Sequence, residues 1–187
     1  MRAQENWPAE RKERAKKAGE ERMAYAASKD YDPYGSGNRD AERKANELLE
    51  KKDIDGALKV IDAALEKYKC DIDLWMLKAA ALREKGDIQK ADEARLRWNT
   101  LADSILLSGD GLSFDTAFKV ISSSEQHVLV SVMGLTLEEQ WLVANKSSMF
   151  DQRFVKDART GRQMTLYFNI DIQWAHLQKT LFSGTKK

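Results

Sequence analysis

Few residues in this 187-residue chain have the side chains that catalysis or metal binding uses most often. The chain contains two histidines, His127 and His176, and a single cysteine, Cys70. One cysteine excludes both an internal disulfide and a zinc site built from cysteines. Two histidines without a cysteine cluster give no recognisable transition-metal site. We therefore expect Cys70 to be a structural residue between two helices, and His127 to be a packed or edge residue of a strand.

The remaining candidates for chemistry are oxygen-bearing side chains in the second half of the chain. Asp110 and Asp115 could suggest a calcium loop, but the spaced oxygen ligands of an EF-hand are absent. We expect Ser113 and Asp115 to bond backbone N–H groups instead. The serine run 122–124 has no partner base defined by sequence, and there is no glycine-rich phosphate loop. The sequence thus predicts no catalytic residue, no bound metal and no cofactor.

The overall composition is typical of a soluble globular protein. The chain is 42% hydrophobic and 33% charged, with a formal net charge of +1. That charge gives no field to attract nucleic acid or an anionic membrane, so we expect neither as a partner. No apolar run approaches the roughly 20 residues of a membrane span, and residues 1–25 lack a signal-peptide core. We expect a cytoplasmic protein, or a periplasmic one if a signal peptide was removed.

A phrase that occurs twice organises the first half of the chain. It reads Asp53-Ile54-x-x-Ala57 and returns 34 residues later as Asp87-Ile88-x-x-Ala91. That period is typical of tetratricopeptide repeats, each of which is a pair of helices. Apolar residues recur at helical spacing through the region. The pattern predicts two tetratricopeptide-like hairpins, about four helices, between residues 38 and 108.

Residues 1–37 form a charged segment that ends in a tyrosine-proline loop. Opposite charges three and four residues apart, such as Glu10 and Arg14, favour a solvated helix, which we expect to be loosely docked. Tyr31 and Tyr34 flank Pro33, so we expect this loop to be held to the body by aromatic packing.

Residues 109–187 have a different pattern, with short β-branched and apolar runs separated by turn residues. Two repeats leave the apolar stripe of the fourth helix open, because about three are usually needed to bury such faces. We expect the C-terminal region to cover that stripe. The pattern predicts an antiparallel sheet of four to five strands and a final short helix, which makes the chain an α+β protein. The strands are expected at 117–122, 126–133, 139–144, 150–156 and 163–170, and the helix at 172–182.

Several phrases make the chain resemble a bacterial family, domain of unknown function 4919. The resemblance covers roughly residues 25–175. The phrases that carry it are Tyr31-Asp32-Pro33-Tyr34, the repeat region 53–91, Ser108–Ser113 with Thr116-Ala117-Phe118, Val128–Leu135 and Tyr167–Ile170. None of these phrases is a catalytic signature. The resemblance implies the same fold and implies no reaction or ligand.

Helical hairpins present grooves and a sheet presents edges, so the first hypothesis is a non-enzymatic protein-interaction module. One specific form is an immunity or accessory protein that binds a bacterial toxin. The candidate partner-binding residues are Tyr31, Tyr34, Trp75, Arg83 and Asp110.

Two alternatives remain open. A small-ligand binder or enzyme would use the cleft between helices and sheet, and would need Tyr31, Tyr34, Asp110 and His127 in one pocket. A purely structural domain would show no partner. An exposed apolar patch, for example at Trp141 or Phe150, would mark a partner site.

Overall fold

Helices fill the first two thirds of the molecule and a sheet forms most of the last third. The computed structural model describes residues 3–34 and 37–183. In these ranges a short 3-10 helix, Ala3–Asn6, precedes the other elements. The helices are α1 Ala9–Ala26, α2 Gly37–Glu50, α3 Ile54–Lys67, α4 Ile72–Lys85, α5 Ile88–Leu107, α6 Ser123–Val132 and α7 Asp171–Ser183. The strands are β1 Phe118–Lys119, β2 Leu135–Asn145, β3 Ser148–Asp157 and β4 Gln163–Asn169. None of the helices in the described ranges combines the length and apolar composition that a membrane span requires.

The repeated phrase begins two of the helices, as its pattern predicts. Asp53 and Asp87 are N-caps whose carboxylates accept from the amides of Gly56 at 2.9 Å and Lys90 at 3.3 Å. Each cap satisfies a backbone N–H group that the first helical turn leaves free. Ala57 and Ala91 are buried where neighbouring helices approach closely. Helices α2 and α3 pack together, as do α4 and α5. The four predicted helices are confirmed, and their identity as tetratricopeptide repeats stays a prediction.

Helix α1 is firmly packed, and the expectation of a loosely docked helix is wrong. It lies against α5 and buries Ala15, Ala18, Arg22 and Tyr25. The small alanines allow close approach to α5, and a buried glutamate neutralises Arg22. The exposed Glu10–Arg14 pair, which suggested a solvated helix, lies on the outer side. The open stripe of the fourth predicted helix, α5, is therefore covered by α1 as well as by the C-terminal region.

The predicted strand at 126–133 is wrong, because these residues form most of α6. Ser122 is the N-cap, and its Oγ accepts from the Glu125 amide at 3.3 Å. The alternating valines Val128 and Val130 favour a strand locally. Packing overrides that preference, since the helix buries Leu129 completely in the main core.

The sheet has four strands and is mixed, which corrects the expectation of a purely antiparallel sheet. The strand order is β1-β4-β3-β2, with β1 parallel to β4 and the other pairs antiparallel. A meander requires consecutive strands to be joined by hairpins. Here α6 lies between β1 and β2 in the chain, so no hairpin joins these two strands. β1 pairs instead with β4, the last strand of the sheet. Of the strand expected at 117–122, only Phe118 and Lys119 pair.

Two apolar clusters make up the core, and Trp75 packs against both. The first joins α1, the end of α5, α6 and the sheet. The second lies among α2, α3, α4 and the start of α5. The candidate site lies on the surface where the tyrosine-proline loop, α2 and the beginnings of α4 and α6 meet.

Candidate functional site

An open depression, here named the junction cleft, lies where the helical half meets α6. Its volume is about 250 Å³. The tyrosine-proline loop, α2, the first turn of α4 and the first turn of α6 contribute its walls. The lining residues are Pro33, Tyr34, Asn38, Arg39, Glu42, Asp73, Ser122, Ser123, Ser124 and His127. A smaller pocket of about 30 Å³ adjoins it, and Asp71 is among its lining residues.

Three carboxylates come together at this place. One side-chain oxygen from each of Glu42, Asp71 and Asp73 lies within 4.8 Å of the others, and all three residues are half-buried. Burial, and then the charges of Asp71 and Asp73, raise the pKa of Glu42 to about 7, against the partial opposition of Arg39. Burial also raises the pKa of both aspartates. Such crowding of partly desolvated like charges is common at functional sites.

Two of these carboxylates also have a structural role at the start of α4. Asp71 is the N-cap, and it accepts from the Leu74 amide at 2.9 Å and from Asn38 Nδ2 at 2.7 Å. Asp73 lies in the first helical turn, where negative charge is favourable, and it is hydrogen-bonded to Ser124. These contacts favour the ionised aspartates and partly offset their burial.

Glu42 differs from both aspartates, because its position in α2 gives it no capping role. Within the described ranges, no salt bridge joins its carboxylate to a lysine or arginine. The two neighbouring aspartates repel it, and the charge of Arg39 offsets that repulsion only in part. Glu42 is therefore the member of the cluster that the local structure does not explain.

The cluster offers only oxygen atoms as ligands. With a pKa of about 7, the Glu42 carboxyl gains or loses a proton near neutral pH. Oxygen ligands suit Mg²⁺ and Ca²⁺. The same oxygens can also accept hydrogen bonds from a lysine ammonium or an arginine guanidinium. The candidates visible in the sequence were the histidines, the cysteine and the Asp110–Asp115 pair, and none of these belongs to the cluster. The pattern Asp71-x-Asp73 was a visible signal, but nothing in the sequence placed Glu42 beside it.

The family model for domain of unknown function 4919 (DUF4919) matches residues 22–178. The chain belongs to the DUF4919 family. This confirms the resemblance predicted from the sequence, and every residue that lines the junction cleft lies inside the match. Neither the curated proteins nor the solved structures contain a match to this chain.

The structure of this DUF4919 protein places two of the sequence-predicted tyrosines at or beneath the cleft. Tyr34 is exposed at the rim. Tyr31 is buried, its hydroxyl donates to the Ile121 carbonyl at 2.7 Å, and its ring packs edge-on against Tyr25 and His176. Burial raises the pKa of Tyr31 far above its ordinary value. Tyr31 therefore anchors the loop that presents Tyr34.

The four residues that a catalytic pocket would have required are not all together. His127 lines the cleft with Tyr34, and its Nδ1 lies 2.9 Å from the Ser123 carbonyl oxygen. It belongs to a helix rather than to the predicted strand. Asp110 lies in another loop, where its carboxylate accepts from the Leu112 amide and the Thr116 hydroxyl. It is not among the lining residues of the cleft.

Trp75 and Arg83, both on α4, lie outside the cleft. The Trp75 indole N–H donates to the Lys69 carbonyl at 2.9 Å, and the ring packs against both core clusters. Arg83 lines a groove of about 260 Å³ between α4 and α5, together with Met76, Ala79, Ala80, Ala91, Arg95 and Trp98. Trp75 thus has a packing role, and Arg83 borders a separate surface.

Cys70 is buried beside the smaller pocket. Burial raises the pKa of its thiol to about 11. The thiol is protonated at neutral pH and behaves as a small apolar side chain. This agrees with the structural role that the sequence predicts.

Proposed function

We propose that this DUF4919 protein is a non-enzymatic protein-interaction module that binds a lysine or arginine side chain of a protein partner in the junction cleft. The observation that carries the proposal is the crowding of Glu42, Asp71 and Asp73 within 4.8 Å of one another. Crowded carboxylates with raised pKa values are unfavourable until a cation approaches them. A basic side chain supplies that charge and donates hydrogen bonds to the same oxygens.

The surroundings of the cluster favour a macromolecular ligand. The cleft is open to solvent at the exposed ring of Tyr34, which offers an apolar surface beside the charged cluster. Aromatic side chains next to a charged group are common at the centre of protein interfaces. The buried Tyr31 and its bond to Ile121 hold this loop in place before binding. A preorganised loop reduces the entropy that binding would cost.

A comparison of variants on one helix tests the proposal. Glu42→Lys places a permanent cation where the partner's cation would bind, and Glu50→Lys makes the same charge change at an exposed position of α2. Wild-type and variant proteins are used to capture partners from lysate of the source cells, with quantitative mass spectrometry. We expect a partner enriched by wild type and Glu50→Lys to fall at least tenfold with Glu42→Lys. Peptides from that partner are then tested for binding. We expect a peptide to lose binding when its lysine or arginine is replaced by glutamine. Partners insensitive to Glu42→Lys would overturn the proposal.

A second candidate function, cation binding, is favoured by the same 4.8 Å geometry. Titration with Ca²⁺, Mg²⁺ and Mn²⁺ by calorimetry distinguishes it from the first. Micromolar binding of one ion that Glu42→Gln abolishes would make the cleft an ion site and would remove the basis for a basic partner side chain. If neither an ion nor a partner binds, the purely structural reading stands.

A further inference from the structure

The outer edge of β2 is exposed and apolar on both faces. β2 ends the strand order β1-β4-β3-β2, so one of its edges has no neighbouring strand among the described residues. Trp141 is 59% exposed and Leu142 is 55% exposed. Adjacent strand residues point to opposite faces of the sheet, so each face of this edge carries one large apolar side chain. Native edge strands are usually protected by lysine, proline, charges or a bulge.

Such protection covers only the first part of β2. The pairing with β3 is irregular between Leu137 and Glu139, where Glu138 has no partner on β3, and Glu139 adds a second negative charge. From Glu139 to Asn145 the register is regular, against Phe154 to Ser148. The segment Gln140–Asn145 contains no proline and no charged residue. This half of the strand is competent to pair with a further strand.

Backbone geometry identifies which residues offer hydrogen bonds at this edge. Ala144 is opposite Met149, whose carbonyl accepts from the Ile170 amide at 3.0 Å and whose amide donates to Asp171 at 2.7 Å. Both Met149 groups thus point away from β2, which makes Ala144–Met149 a non-hydrogen-bonded pair. Antiparallel pairs alternate between bonded and non-bonded. The N–H and C=O groups of Ala144, Leu142 and Gln140 therefore point outward, to the open edge.

We propose that a second copy of this chain pairs with β2, antiparallel and about a two-fold axis at Leu142. The resulting dimer has one continuous sheet of eight strands, four from each copy. Isologous two-fold contacts of this kind are the commonest way in which identical chains associate. The pairing gives hydrogen-bond partners to the outward N–H and C=O groups of β2 in both copies. It also removes the exposed β2 edge of each copy from water.

The sequence of the strand complements itself in this register. With the axis at Leu142, that residue faces its own copy, Trp141 faces Val143 of the second copy, and Glu139 faces Asn145. Apolar side chains meet apolar ones and no like charges are opposed, which stabilises cross-strand pairs. Moving the axis to Gln140 would set Trp141 against Glu139, and moving it to Ala144 would set Leu142 against Lys146. With the axis at Leu142, two outward-pointing residues also form a hydrogen-bonded pair at the centre of the contact.

The face on which Trp141 lies continues the apolar surface inward. The Trp141 ring contacts Phe154 of β3 edge-on, with centroids 6.2 Å apart. In the dimer, Val143 of the second copy would lie beside Trp141 and extend this row. A strand from an unrelated protein would have to match the same alternation. A second copy of β2 has this alternation of side chains by its own sequence. The pairing does not depend on the junction cleft.

Sedimentation velocity with charge variants tests the dimer. We expect wild type to sediment as a dimer, and Leu142→Lys to weaken association at least tenfold because two lysines would face each other at the axis. Leu142→Glu should behave likewise, and an equimolar mixture of the two variants should restore the dimer. Leu181→Lys, at a leucine of α7 that is 62% exposed, is the matched control and should remain dimeric. A monomeric wild type, or a Leu142→Lys protein that stays dimeric, would overturn the proposal.

Cysteine cross-linking tests the register separately. Leu142→Cys puts two thiols across a bonded strand pair, where the Cα–Cα distance of about 5.5 Å lies in the disulfide range. Oxidation with copper phenanthroline should link the two copies nearly completely. Asn145→Cys should not link, because its two copies lie about six residues apart along the paired strands. Cys70 is buried and does not compete. Efficient linking at 145 rather than at 142 would contradict the axis.

Discussion

At the residue scale, Glu42 shows how the surroundings of a glutamate in the folded protein change its pKa. Its helix presents it to two aspartates that are held in place by the start of α4. Burial comes first and like charge second in raising its pKa from 4.5 to about 7. Because the folded-state pKa is the higher one, the folded protein binds more protons than the unfolded chain between those values. The free energy of unfolding should therefore fall as the pH rises through this window.

Substitution of Glu42 tests this pH dependence directly. Glu42→Gln cannot ionise, so above pH 7 it should be more stable than wild type, by about 1 kcal/mol after allowance for solvent screening. The difference should shrink as the pH approaches 4.5. Urea denaturation at several pH values measures it. Glu66→Gln, at an exposed position of α3, serves as the control and should follow the wild-type profile. A Glu42→Gln protein with the wild-type pH profile would show that Glu42 has an ordinary pKa.

At the element scale, α6 shows a conflict between local preference and tertiary context. Its valines favour a strand, yet the segment Ser122-x-x-Glu125 has the form of a helix capping box. The Ser122 hydroxyl accepts from the Glu125 amide, and the Glu125 carboxylate accepts from the Ile121 amide at 2.8 Å. The capping signal was present in the sequence, and the β-branched pattern concealed it. This helix supplies one wall of the junction cleft.

Removal of the cap should weaken α6 measurably. Ser122→Ala leaves the Glu125 amide without its side-chain acceptor, so the free energy of unfolding should fall by about 1 kcal/mol. Ser123→Ala is the matched control, since its side chain is exposed, and should have a much smaller effect. Thermal and urea denaturation provide the measurement. Equal effects of the two substitutions would show that the Ser122 cap contributes little.

At the scale of the whole molecule, one buried ion pair connects the N-terminal helix to the C-terminal region. Arg22 and Glu125 are 1% and 2% exposed, and the pair is bidentate, with N–O distances of 2.7 Å and 2.6 Å. The same guanidinium donates to Ser104 of α5 and to the Lys119 carbonyl of β1. A buried charge is tolerated only when it is paired in this way. The pair therefore specifies how α1, α5, β1 and α6 fit together.

Breaking this pair should be costly. Arg22→Met leaves Glu125 buried without a cation and should lower the free energy of unfolding by about 3–5 kcal/mol. The double variant Arg22→Met/Glu125→Leu should recover part of the loss, because no charge then remains buried. Arg14→Met, which removes an exposed arginine paired with Glu10, should cost less than about 1 kcal/mol. If Arg22→Met costs no more than Arg14→Met in urea denaturation, the pair has no role in stability.

Prediction from the sequence was most accurate where local signals suffice. Helices α2 to α5 follow from apolar residues at helical spacing and from the aspartates at positions 53, 71 and 87, which cap the free amides of a first turn. The hairpin between β3 and β4 follows from its turn, where the Asp157 carboxylate accepts from the amides of Arg159 and Thr160. These features depend on residues only a few positions apart.

Long-range contacts decided the rest. The parallel pairing of β1 with β4 joins Phe118 to Phe168, and the docking of α1 depends on a glutamate far along the chain. The junction cleft depends on Glu42 reaching Asp71 and Asp73, which no spacing rule connects. The sequence by itself thus determined the local elements and the family to which the chain belongs. Only the tertiary structure decided which charges are buried together, because burial and charge proximity depend on how those elements pack.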